Sequence, residues 1–194
     1  MRRRSQAKLN EDTYLSLGKF VVAFSGLVFA LEKSTIRLMD LGLDGRRILL
    51  AEAALADRTA YPIVNAFFSV FFKFWEGAIP EEDVKIMKRL RKELHDIVEK
   101  RNRIMHDAWM GVRVGGDSLP QPMAKLRVRA HGTGVDYESV SYPPSDIEAL
   151  VSDIERLTNV VNGAVFYDRP GQVGPELHPR IQIYHGKVTR QIDS

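Results

Sequence analysis

The sequence predicts a mainly α protein: four to five helices in one bundle, with a small antiparallel β-meander inserted before the last helix. Three observations carry this. Apolar residues recur at three- and four-residue spacing through several long stretches, the period of a helix face. Between Met110 and Val140 that period gives way to strict alternation, and then returns. The chain has 194 residues, 44% hydrophobic and 27% charged, enough to bury one real core and too apolar for a disordered chain.

The first helix is read from about Asn10, with Asn10 or Asp12 as its cap. Leu17, Phe20, Phe24, Leu27, Leu31 and Leu38 hold one face. Val21, Val22, Val28, Phe29 and Ile36 add apolar surface elsewhere, so this helix is expected to be buried on most sides, centrally or in an oligomer interface. Leu41 to Gly45 reads as a stop and a turn, and Arg46 to Asp57 as a second helix. Pro62 predicts a break or kink before Ile63 to Trp75, whose aromatic run reads as core. Pro80-Glu81-Glu82-Asp83 opens a fourth helix, with acidic residues where the dipole favours them. Its stripe is Val84, Met87, Leu90, Leu94, Ile97, Val98, Ile104 and Met105.

Strands are expected at Met110 to Val114, Ala124 to Ala130 and Val135 to Val140. In the middle one Lys125, Arg127 and Arg129 alternate with Ala124, Leu126 and Val128, giving a basic and a packing face. Ser145 with Glu148 reads as a capping box for the last helix. The predicted organisation is a basic tail at 1–9, a single domain at 10–168 with its β insert at about 109–141, and an irregular tail at 169–194 with one strand at Ile181 to Tyr184.

The longest stretches free of charge, Phe20 to Leu31 and Thr59 to Phe72, fall short of the roughly 20 apolar residues that a bilayer span needs. Met1-Arg2-Arg3-Arg4 continues into polar residues, unlike a secretory signal. A cytoplasmic protein with no membrane partner is therefore expected. With no cysteine, thiolate nucleophiles and Cys-ligated zinc drop out, and nothing implies a metal or other cofactor. Phosphate-binding glycine loops, His-Glu-x-x-His and G-x-S-x-G are absent as well.

The formal charge of +3 is modest but unevenly placed. From Lys85 to Arg103 eight basic residues face three acidic ones, a local balance of +5 on one helix. Near the end of that helix stands Arg101-Asn102-x3-His106. The bare Arg…His spacing recurs at Arg180…His185 and, one residue longer, at Arg89…His95. Arg180 and His185, however, flank a strand-like stretch, and the apolar Leu90 follows Arg89 where Asn102 follows Arg101. Arg101-Asn102-x3-His106 resembles the R-x(4 to 6)-H signature of HEPN-domain proteins. The likeness covers the helical part, roughly Asn10 to Trp109 and the last helix, and implies a helical bundle and a metal-independent endoribonuclease.

The residue types suit that chemistry. Histidine titrates nearest neutral pH and can take the ribose 2′-hydroxyl proton or protonate the leaving 5′-oxygen. Arginine offers a permanently charged fork to the phosphate in the transition state. Five helical residues, however, put Arg101 and His106 roughly 140° apart around the axis and about 7.5 Å along it. Two copies across a twofold axis would unite them, and the resemblance also implies a homodimer with a composite active site. His106, Arg101 and Asn102 are the candidate catalytic residues. Lys100, Arg103, Lys125, Arg127 and Arg129 are candidates to hold the RNA backbone, and Trp109 to stack on a base or close the core. Many members act in toxin-antitoxin pairs or phage defence, which implies an antitoxin or regulatory protein as partner. The toxins paired with a nucleotidyltransferase carry Tyr two residues after the His, where this chain has Ala108. The alternative is a non-catalytic binding or regulatory module using the same basic helix.

Overall fold

The computed structural model describes residues 6–40, 46–76, 79–106, 108–110, 124–164, 181–184 and 187–190. In order these form α1 (Gln6–Asp40), α2 (Arg46–Leu55), α3 (Ala60–Phe74), α4 (Glu81–His106), β1 (Ala108–Met110), β2 (Ala124–His131), β3 (Gly134–Ser141), α5 (Pro144–Ala164), β4 (Ile181–Tyr184) and β5 (Lys187–Arg190). The protein is mainly helical. It divides into two compact units, residues 1–23 with 100–152 and residues 24–99 with 153–194, whose boundaries fall inside α1, α4 and α5.

Helix α1 starts at Gln6, earlier than Asn10, because Gln6, Ala7, Lys8 and Leu9 are good helix formers that extend it into the expected tail. Phe20, Leu27 and Leu31 are each 1% exposed. Thr13 and Thr35 are also buried, their hydroxyls donating to the Leu9 and Leu31 carbonyls at 2.8 and 2.7 Å, which removes the cost of an unpaired polar group. The opposite side is open: Tyr14, Leu15, Val21, Val22 and Phe29 are exposed, Val22 by 73%. Gly18 and Gly26 share that side, and a Cβ built on either meets nothing within 4 Å.

By length and composition alone α1 is apolar enough to cross a membrane, with a third of its apolar window buried in the protein. The sequence expectation rested on charge-free runs, and that count misses a window interrupted by a single charge such as Lys19.

Pro62 neither breaks nor kinks α3. It sits in the first turn, where the missing N–H has no intrahelical partner to lose. The aromatic run packs as expected: Ile63, Val64, Phe67 and Phe68 are fully buried and Phe71 nearly so. Phe67 meets Phe68 edge to face at 5.0 Å between ring centroids, and each such side chain contributes about 1.5–3 kcal/mol. On α4 Met87, Leu90, Leu94 and Ile104 are fully buried and Ile97 and Val98 nearly so. Met105 departs from this stripe and is 41% exposed.

Helix α5 begins one residue before Ser145, so the expected capping box does not form. Pro144 takes the first position, the Pro143 carbonyl accepts from the Asp146 and Ile147 amides, and Ser145 Oγ donates to Asp146 Oδ1 at 3.4 Å.

Strands β1, β2 and β3 form an antiparallel sheet in that order. Strand β1 begins at Ala108, two residues before the expected Met110, and the rest of that expected strand, residues 111–114, lies outside the described residues. In the tail β4 pairs with β5, a strand the sequence reading missed because Lys187-Val188-Thr189-Arg190 is too short to show a period.

Candidate active site at the end of the fourth helix

Helix α4 supplies the site. Glu81, Glu82 and Asp83 fill its first turn while Arg103 and His106 lie in its last, both matched to the helix dipole. Lys100, Arg101 and Arg103 lie in the last seven residues, where His106 is the final helical residue.

Arg101 is half-buried, and its Nη1 donates to Asn102 Oδ1 at 3.2 Å. Asn102 thus engages the guanidinium next to it. Asn102 and His106 are both exposed, four residues apart on one side of α4, as are Lys100 and Arg103. By the helical angle Arg101 and His106 leave α4 about 140° apart, while the Arg101 guanidinium is turned toward Asn102, four residues before His106.

Trp109, Lys125, Arg127 and Arg129 lie on the sheet. In its register Trp109 stands opposite Lys125. Across the other edge of β2, Lys125 stands opposite Val140, Arg127 opposite Glu138 and Arg129 opposite Asp136. Two of the three basic positions expected to hold RNA therefore face an acidic one, which lowers the net charge of that strand pair. Every one of the nine nominated residues belongs to the compact unit that contains residues 100–152.

The competing Arg89…His95 spacing makes no pair. Arg89 Nε contacts Glu93 Oε1 at 3.2 Å, and Glu93 Oε2 also takes Arg156 Nη2 at 2.8 Å. His95 instead packs edge to face on Tyr61, 4.4 Å between ring centroids. One turn earlier Arg91 Nη2 donates to Asn65 Oδ1 at 2.7 Å. The sequence reading weighed His95 only as a partner of Arg89 and nominated none of Tyr61, Asn65 and Arg91; the signal it left unused was Arg91-x3-His95, an i, i+4 pair.

Burial and the Arg91 guanidinium hold the His95 imidazole below its ordinary value, against an upward pull from Asp96 and Glu99. The unfolded chain therefore binds a proton that the folded chain refuses. The contribution of neutral His95 is full above the unfolded value, about 6.5, and is lost as pH falls through the folded value. Thermal midpoints measured from pH 8 to 5 should drop more steeply for the wild type than for His95→Gln; parallel curves would exclude His95 as the source.

A cavity of about 210 Å3, lined by Phe29, Glu32, Lys33, Ile36, Glu52, Leu55 and Ala56, shares no residue with the candidate site. No family model, curated protein or solved structure matches this chain.

Proposed function

We propose that this chain is a HEPN-type, metal-independent endoribonuclease with a HEPN-like helical bundle, acting as a homodimer. The observation that supports the reading best is Arg101-Asn102-x3-His106 at the end of a basic 26-residue helix, with Asn102 bound to the Arg101 guanidinium. His106 accepts the ribose 2′-hydroxyl proton and the 2′-oxygen attacks phosphorus. The P–O bond to the 5′-oxygen breaks, and that oxygen leaves with a proton from water, whose hydroxide takes the proton back from His106. The products are a 2′,3′-cyclic phosphate and a 5′-hydroxyl. Arg101 neutralises charge building on the phosphoryl oxygens. Lys100 and Arg103 hold the backbone beside it.

The exposed side of α1 supports self-association. Leu15, Val22 and Phe29 repeat every seven residues, and Gly18 and Gly26 between them leave room for a second backbone. In the proposed homodimer Arg101 of one copy and His106 of the other share one phosphate site. A cytoplasmic role in a toxin-antitoxin pair or in phage defence, restrained by an antitoxin or regulatory protein, fits a nuclease of this kind.

The test is incubation of purified protein with mixed RNA in EDTA, reading fragment size and end chemistry. Fragments ending in 2′,3′-cyclic phosphate are expected. Intact RNA, with the protein dimeric and RNA-bound, would favour the non-catalytic binding module instead.

A further inference from the structure

The geometry points to a second RNA-binding subsite, on α3 and α4, in which Arg91 takes a phosphate of single-stranded RNA and Tyr61 stacks against a neighbouring base. This inference rests on RNA being the substrate, and it uses none of the residues assigned to catalysis.

Arg91 carries the argument. Arg89, two residues earlier, is tied to buried Glu93. Arg91 is exposed and is held by an amide, Asn65 Oδ1 at 2.7 Å, while no carboxylate among the described residues forms an ion pair with it. An amide fixes the direction of a guanidinium without cancelling its charge. The remaining N–H groups present a positive fork, the geometry that suits a phosphate.

The surroundings match. Tyr61 is 50% exposed, a large aromatic ring left at the surface, and its position is set by His95 packed edge to face at 4.4 Å. A pre-oriented exposed ring beside a cation is how sequence-tolerant proteins bind single strands, because every base offers a π face. His95 is mostly neutral near pH 7 and supplies one donor and one acceptor without adding charge. Lys88 and Lys92, both exposed, flank Arg91 on α4; Asp96 and Glu99, next along the helix, set the edge of the positive surface. The backbone would enter over Lys88 and Lys92 and turn away at Asp96.

The test measures binding, so its result does not depend on cleavage. A fluorescein-labelled oligouridylate of about 12 nucleotides is titrated in EDTA against full-length His106→Ala protein, which leaves the probe intact, at several salt concentrations. Adding Arg91→Gln is expected to weaken binding about tenfold and to flatten the dependence of log K on log salt by about 0.7. Adding Tyr61→Leu is expected to weaken it about fivefold with the salt slope unchanged, because stacking releases no counterion. Asn65→Asp, which gives Arg91 a carboxylate partner, should reproduce the Arg91→Gln loss and guards against a variant that fails to fold. Lys73→Gln, elsewhere on α3 and paired with Glu76, serves as the control and should change nothing. Affinity within twofold of the parent for both Arg91→Gln and Asn65→Asp overturns the subsite, as does no binding by the parent. Loss of binding in these variants, in a protein whose cleavage survives His106→Ala, keeps the subsite and removes the catalytic reading.

Discussion

Arg101→Ala and His106→Ala proteins are each expected to lose RNA cleavage by roughly 10²–10⁴-fold, and a co-refolded mixture of the two is expected to regain it. On one α4 the two side chains leave the helix about 140° apart. Across a twofold axis Arg101 of one subunit and His106 of the other can face the same phosphate. Half the dimers in a random mixture are heterodimers, each keeping one of the two intact pairs, so activity should return to about a quarter of wild type. Heterodimers that form, verified by mass, and still cleave nothing would rule out a site shared between subunits. Val22→Asp is the companion variant. A carboxylate in the middle of the open side of α1 should yield a folded monomer by sedimentation, inactive because its site is incomplete.

The helices were legible where one face is apolar and the other charged. The stripe of α4 up to Ile104 and the buried part of the aromatic run of α3 read correctly, because burial follows the 3.6-residue period there. Reading failed where the period carries no direction. In helix α1, apolar nearly all round between Phe20 and Phe29, spacing marked the face of Phe20, Phe24, Leu27 and Leu31 correctly, but composition suggested burial on most other sides too, where Val21, Val22 and Phe29 are exposed. At Pro62 and Ser145 the residue was recognised and its position in the helix was off by a turn or less, which decides whether proline breaks a helix or starts one. In the candidate site the bond between neighbours Arg101 and Asn102 was within reach of a sequence reading. Arg91 to Asn65, 26 positions apart, was not, since only packing of α3 on α4 brings them together. The opposition of Arg127 and Arg129 to Glu138 and Asp136 needed the strand register, which alternation within β2 alone does not fix.

Glu93→Ala is expected to cost about 3 kcal/mol and to lower the thermal midpoint by roughly 6–12 °C, although Glu93 belongs to a charged run that reads as a solvated face. Glu93 is only 9% exposed and takes Arg156 of α5 on one oxygen and Arg89 on the other. Removing it strands the Arg156 guanidinium, whose side chain is 21% exposed and whose other carboxylate, Asp153, stands at 3.6 Å. That remaining neighbour is why the effect falls at the low end for breaking a buried pair, and Arg89, better exposed, adds little. The cost comes from the uncompensated charge more than from the lost attraction, so removing both partners should undo much of it. Glu93→Leu with Arg156→Met is expected to melt well above Glu93→Ala, and a double-variant cycle should give a large coupling between the two positions. If the double variant melts as low as the single one, the loss lies in packing between α4 and α5, and the ion pair is not what holds the two helices in register.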